Sequence, residues 1–276
     1  MRAGVIWTNQ PDSRDYYSLF DEVCGSVGIG WYVKEDWDYM RRHYQGAHPQ
    51  KHWLTYNSQM VPGEVGTWQW HINPVGVGRP YSRSSRLPAP YEHLYDITNP
   101  EYRARLITRA ISNAEDTSRD YGAYFTGIFF DSICSEWWWG PKPAGFDLAA
   151  YRQGQADLCA EAAIECHKHR LEVGANVAVA TAEWPGSLDF MWLEHCKLDT
   201  PIPEFLMQTR TCRVGVNIEL VDQNTCHTSY DEQFRILVEK YEPFIAENDC
   251  IMVNDCDPHR EAMERLMTAY IQGRAR

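Results

Sequence analysis

No apolar run in this 276-residue chain approaches the roughly 18 residues a membrane-spanning helix needs, so no bilayer-crossing helix is expected. There is no Gly-x-Gly-x-x-Gly fingerprint and no P-loop, which removes the usual nucleotide sites and the usual mark of a doubly wound open sheet. No Cys-x-x-Cys pair occurs. The nine cysteines are scattered and odd in number, so they read as buried free thiols in a reducing compartment rather than as a zinc site or a full disulfide set. Basic residues are in deficit, 26 against 38 acidic, for a net charge of −12. Such a surface repels phosphate backbones, and nucleic acid is not an expected partner. The opening MRAGVIWTNQ lacks the apolar core of a signal peptide, so the chain reads as cytoplasmic by default. A mature secreted form restarted with Met would look the same.

Aromatics, by contrast, are plentiful, with 11 Trp and 16 Tyr, several of them clustered between the apolar runs. Those runs are short: Gly4–Thr8, Ile29–Val33, His52–Asn57, Thr126–Asp131, Glu172–Val179, Asp189–Glu194, Val214–Val221 and Ile251–Asp255. Most are nearly continuous and rich in β-branched or aromatic residues, as parallel strands buried on both faces should be. Helical stretches lie between them. Asn99 or Thr98 can cap a helix with Pro100 in its first turn, followed by a stripe at Tyr102, Leu106, Ile107, Ala110, Ile111 and Ala114. Leu148–Arg170 reads as a second helix, Ser229-x-x-Glu232 is a capping box for a third, and Asp257-Pro258 opens the last. Eight strands alternating with helices in a chain of this length predict a single-domain (β/α)8 barrel spanning 1–276. A long insertion at about 58–93 follows the third strand. The link between the sixth and seventh strands looks irregular.

In such a barrel the chemistry sits where strands end, on the loops that follow them. The third run ends at Tyr56-Asn57, the fourth at Asp131 and the sixth at Glu194. The fifth carries Asn176, the seventh runs into Asp222, and the eighth ends at Asn254-Asp255. Asp131 and Glu194 are the sharpest, because a carboxylate at the end of an apolar strand costs desolvation unless something pairs with it or uses it. Two carboxylates across a barrel mouth can cleave a glycosidic bond, one protonating the leaving oxygen and one attacking or stabilising the anomeric centre. The blander alternatives are a helix cap or loop brace for Asp131 and an Arg or Lys ion pair for Glu194. Asn57, Asn176, Asp222 and Asp255 are expected to bind sugar hydroxyls, as is Tyr56.

The loops favour a sugar ligand. Ser58–His93 carries Trp68, Trp70 and His71, and Trp137, Trp138 and Trp139 follow Asp131 by a few residues. A loop of that length in a compact domain is usually functional, and flat rings stack on pyranose faces. Trp70, Trp137 and Trp138 are therefore expected to line the cleft, the alternative being that they cap the barrel as satellite core. His167-x-His169 falls late in a helix, on the opposite face from the mouth, and reads as surface. Cys134 has no evident His partner. No cofactor or metal is expected.

The stretch Asp96-Ile-Thr-Asn-Pro-Glu-Tyr-Arg, the helix after it and Thr126-Gly-Ile-Phe-Phe-Asp131 resemble the signature of spherulin-like and endo-α-1,4-polygalactosaminidase-like barrel glycoside hydrolases. That signature is an Asp-Ile-x-Asn-Pro helix start, then a strand reading roughly Gly-Phe-Asp-Gly-Ile-Phe-Leu-Asp. The likeness covers about residues 94–131 and extends loosely to Phe190–Glu194. Phe125-Thr126-Gly127 stands where the signature has Phe-Asp-Gly, so one acidic position is lost, and the triple Trp has no counterpart. The resemblance implies an α-linked polysaccharide or oligosaccharide as substrate, amino-sugar polymers included, with Asp131 as nucleophile, Glu194 as acid/base and retention of configuration. A non-catalytic carbohydrate-binding barrel and a barrel hydrolase of another class are the competing readings.

Overall fold

A computed structural model describes residues 2–7, 17–25, 34–44, 50–57, 94–133, 142, 145–177, 187–208, 210–254 and 259–274. Eight parallel strands close into a barrel in sequence order, β1 pairing with both β2 and β8. They are β1 (Arg2–Trp7), β2 (Glu22–Gly25), β3 (Lys51–Asn57), β4 (Gly127–Asp131), β5 (Glu172–Asn176), β6 (Phe190–Cys196), β7 (Arg213–Ile218) and β8 (Cys250–Asn254). The described helices are α1 (Lys34–Tyr44), α2 (Pro100–Tyr121), α3 (Leu148–Lys168), the short α4 (Gln223–Cys226), α5 (Tyr230–Tyr241) and α6 (Arg260–Arg274). No described helix is long and apolar enough to cross a membrane.

Local signals set the helix starts. Asn99 accepts from the amides of Glu101 and Tyr102, Asp147 caps α3, and Ser229 accepts from the Glu232 amide. Each satisfies donors that the first turn leaves unpaired. The Glu232 carboxylate is drawn to Arg235. The start expected at Asp257-Pro258 lies outside the described residues, as does the 58–93 insertion. Between β6 and β7 the described residues make a short 3-10 turn, Glu204–Met207. Pro201 and Pro203 just before it deny a longer helix its amides.

One strand differs from expectation. The place between β1 and β3 is taken by Glu22–Gly25, in register with Gly4–Trp7 and with Lys51–Leu54. Ile29–Val33, the more apolar run, falls outside the described residues. The reason is at the barrel's lower end, where a charge is wanted. Glu22 is fully buried and receives Arg213, Arg2 at 3.4 Å and the Trp53 indole N–H at 3.1 Å. Arg213 also binds Glu172 at 2.5 Å and lies over the Trp53 and Phe190 rings. An acidic four-residue strand is thus specified by partners distant in sequence.

Above that ionic floor the interior is filled by Trp53, Phe129, Phe190, Trp192, Cys250 and Met252. Trp53 and Phe190 stack at 5.2 Å. Gly215 is required here, because a Cβ would collide with Met252 and stand 2.8 Å from Phe190. The helices bury a second, larger core against the outer face of the strands.

Burial raises the Glu22 carboxyl above its ordinary range, opposed by Arg213, Arg2 and Lys51. Replacing Arg213 with Leu removes the strongest opposing charge and leaves Glu22 and Glu172 short of a partner. The expected loss is about 3–5 kcal/mol at neutral pH. The sign with pH follows from linkage: a carboxyl raised in the folded state costs stability as pH rises through that value. The Arg213→Leu deficit should therefore shrink as pH falls from 8 toward 5, as read by urea unfolding at each pH. A deficit independent of pH would mean that lost packing, not the buried charge, dominates.

Candidate active site

Asp131 closes β4, Asn176 closes β5 and Glu194 stands near the end of β6, so three successive strands deliver them to the same rim. Alternation places residues two apart on one face of a strand. On β6 that puts Glu194 on the same face as Phe190 and Trp192, which line the interior. The Asn176 amide nitrogen donates to Asp131 Oδ1 at 2.8 Å and to Glu194 Oε2 at 2.6 Å. Both carboxylate oxygens hang from one nitrogen and are at most about 5.4 Å apart. The two acids therefore do not face each other across the mouth; they sit side by side with Asn176 between them.

Asp131 is 5% exposed. Its Oδ1 also accepts the Ser132 amide at 2.9 Å, and donors of this kind offset the desolvation of a carboxylate. Among the described residues it caps no helix, α3 being capped by Asp147. Glu194 is more open, its side chain 16% exposed, and the described basic side chain paired with it is His195, with Nε2 3.6 Å from Oε2.

The backbone is strained at this rim. Ser132 and His195 have φ of 67° and 62°, and each directly follows one of the two carboxylates. Left-handed backbone at a non-glycine residue costs about 1–3 kcal/mol and gathers at functional sites. At His195 the strain accompanies a register shift between Leu193 and Cys196 in the β6–β7 ladder. Such a bulge re-aims side chains. His195 Nδ1 meets Glu219 Oε2 at 2.6 Å, and Lys197 holds the other oxygen of Glu219 at 3.1 Å. The hydrogen bond to Glu219 raises the His195 pKa against the effect of burial. Burial pushes Glu219 up, but His195 and Lys197 outweigh it and bring it below its ordinary range.

Two further groups lie below the rim. Trp192 is 3% exposed and Asn217 2% exposed, and the indole N–H of the first and the amide oxygen of the second have no partner among the described residues. Orphaned buried polar atoms in a barrel mouth suit a polar ligand. Sequence reasoning passed over Trp192, Asn217, His195 and Glu219. Trp192 was legible, lying two residues before Glu194 on the same face. Asn217 and Glu219 are hidden because the apolar run continues to Val221, whereas β7 ends at Ile218.

Of the remaining expected residues, Tyr56 and Asp222 fall elsewhere. Tyr56 is 1% exposed and turned to the helix layer, its hydroxyl bonded to Asn113 of α2 at 2.6 Å; alternation on β3 sends Trp53 inward and Tyr56 outward. That corrects the expectation that Tyr56 reaches substrate. Asp222 lies past the true end of β7 and is exposed, accepting from Asn224 as the cap of α4. Asn57 is the register partner of Asp131, but its side chain lies outside the described residues, as do Trp70, Trp137, Trp138 and Asp255. Among the described residues no three His, Cys, Asp or Glu side chains group as metal ligands. His167 and His169 pair instead with Asp189 and Glu115. Six described cysteines are free thiols.

No family model matches the chain, and no curated protein does. Solved structures match in shape. A chitinase from Cycas revoluta, in complex with allosamidin, aligns over 99% of this chain and 99% of its own at 10% identity, with a TM-score of 0.54. D-psicose 3-epimerase from Clostridium cellulolyticum H10, with D-tagatose, aligns over 100% and 99% at 9% identity, with a TM-score of 0.50. Catalytic domain 2 of the Ostrinia furnacalis group II chitinase aligns over 92% of this chain but only 63% of its own at 15% identity, with a TM-score of 0.44. The first two likenesses agree with the (β/α)8 barrel fold. They do not identify the spherulin-like family suggested by residues 94–131. Because an epimerase shares the barrel, the chemistry has to be argued from side chains.

Proposed function

We propose that this chain is a glycoside hydrolase acting on an α-linked polysaccharide or oligosaccharide, amino-sugar-containing substrates included. Asp131 is its nucleophile and Glu194 its acid/base. The observation that carries the reading is the single Asn176 amide holding both carboxylates. Retaining glycosidases keep their two carboxyl groups about 5–5.5 Å apart, so that one can attack while the other protonates, whereas inverting enzymes leave room for a water at about 6.5–9.5 Å. The upper bound set by Asn176 favours retention. The roles follow from surroundings: Asp131 is buried and accepts two hydrogen bonds that favour its anion, while Glu194 is open to the rim and has His195 beside it. The α-linkage rests on the resemblance over 94–131. The orphaned Trp192 and Asn217 atoms offer one donor and one acceptor for sugar hydroxyls.

A panel of α- and β-linked polysaccharides and amino-sugar polymers, assayed by reducing ends, tests the activity. Proton NMR of the first-formed anomer tests retention. Binding without cleavage across the panel would favour the non-catalytic barrel, and inversion would remove Asp131 as nucleophile.

Asn176→Leu keeps similar volume and removes the shared donor. Each carboxyl then loses a bond to its charged form and faces the other's charge uncompensated, which raises the pKa of the pair. Asp131 ionises later, so the acid limb of the kcat/KM profile should move to higher pH, with a loss of about 10²-fold at the wild-type optimum. An unmoved acid limb would show that the bridge does not govern ionisation.

A further inference from the structure

We propose that His195 is a positioning residue that stores the proton Glu194 uses, so that the two side chains share one proton under the control of Glu219. The inference rests on the acid/base role proposed for Glu194. In a regular strand Glu194 and His195 would point to opposite faces. Instead the register shift in β6 and the left-handed backbone at His195 bring the imidazole Nε2 to 3.6 Å from Glu194 Oε2. Glu219, just past the end of β7, takes the Nδ1 side at 2.6 Å. That contact assigns the Nδ1 proton toward Glu219 and leaves Nε2 to give or take a proton at Glu194.

Among the described residues, the charged groups facing His195 are Glu194 and Lys197 from β6 and its extension, and Glu219 from beyond β7. Lys240 of α5, packed nearby, is held by the backbone carbonyls of Lys197, Leu198 and Thr200. The upward shift at His195 agrees with an imidazolium held between two carboxylates.

The proton balance closes in both halves of a retaining cycle. The Nε2–H bond breaks, its electron pair stays on nitrogen, and an O–H bond forms at Glu194. That proton passes to the glycosidic oxygen as the bond to C1 breaks and Asp131 attacks C1. In the second half water gives a proton to Glu194 as its oxygen displaces Asp131 from C1. The proton returns to Nε2. The imidazole side chain, 54% exposed, can re-equilibrate with solvent between turnovers.

The experiment couples NMR titration of the His195 ring with kcat/KM profiles in the intact chain, for wild type, Glu219→Gln, Glu194→Gln and His195→Asn. Asn is chosen because it tolerates left-handed backbone. In wild type the alkaline limb should coincide with the His195 midpoint, since above it the shared proton is gone. Glu219→Gln removes a negative charge from the imidazolium and should move midpoint and limb down together by about one unit. His195→Asn should lose that limb and slow basic leaving groups while sparing activated aryl glycosides. A midpoint that moves while the limb stays would make the His195–Glu219 contact a brace between strand ends and overturn the proposal. Glu194→Gln should also lower the His195 midpoint, and no such shift would overturn the pairing without touching the hydrolase reading. Conversely, an intact shift in a chain that cleaves no glycan would overturn the hydrolase reading and the proton store with it.

Discussion

Asp131→Asn is expected to abolish turnover, by about 10⁴-fold or more in kcat, while leaving the barrel folded. The change is isosteric. The amide oxygen can keep the bonds that Oδ1 accepts from Asn176 and from the Ser132 amide. What disappears is the negative charge that attacks C1 and the leaving ability that makes a glycosyl ester hydrolysable. Loss of a group that acts only in the transition state falls on kcat rather than on binding. Stability should hold or rise slightly, because a carboxylate only 5% exposed is costly to desolvate and a neutral amide less so. Activity and thermal midpoint should thus separate: near-zero turnover, unchanged or higher Tm, and substrate affinity retained. A variant within tenfold of wild type would make Asp131 a brace for the β4 end and leave Glu194 without its partner. A variant that loses both activity and fold would show that the charge itself holds the β4 end in place.

Why Asp131 stood out in the sequence while its surroundings did not is a matter of range. Gly127–Asp131 is a continuous apolar run closed by an acid, and a buried parallel strand leaves that trace locally. The caps at Asn99 and Ser229 are equally local, each a side chain meeting amides two or three residues on. Glu22–Gly25 leaves no such trace, because its acidic first residue is stabilised by Arg213, Arg2 and Trp53 from other strands. The same limit governs the site. Reading the polar ends of the apolar runs places Asn176 and Glu194 at the barrel mouth. It could not show that one amide would reach both acids, which depends on strand stagger. It also misled at two points: Tyr56 was one residue out of phase with the inward set, and the seventh strand stopped before Asp222. His195 was invisible for a sharper reason. A bulge breaks the alternation itself, and the residue after an inward acid should point away from it.

Glu194→Gln is expected to divide substrates by leaving group. Glycosides that expel a basic sugar alkoxide need a proton delivered as the bond breaks, and general acid catalysis of this kind contributes about 10²–10⁴-fold. They should slow by that factor. An activated aryl glycoside departs as a stable phenolate and should be nearly spared in the step that loads Asp131. Its overall rate should still fall, because the second step needs Glu194 as a base toward water. A burst of phenolate followed by slow turnover is therefore the expected trace, with the burst amplitude reporting the glycosylated Asp131. Gln can still accept the 2.6 Å bond from Asn176, so Asp131 stays in place and any loss belongs to the proton, not to geometry. Equal losses for sugar and aryl leaving groups, with no burst, would remove Glu194 from the acid role. The pair would then be read with Glu194 as an electrostatic partner of Asp131, and the proton source sought among the other groups at the rim.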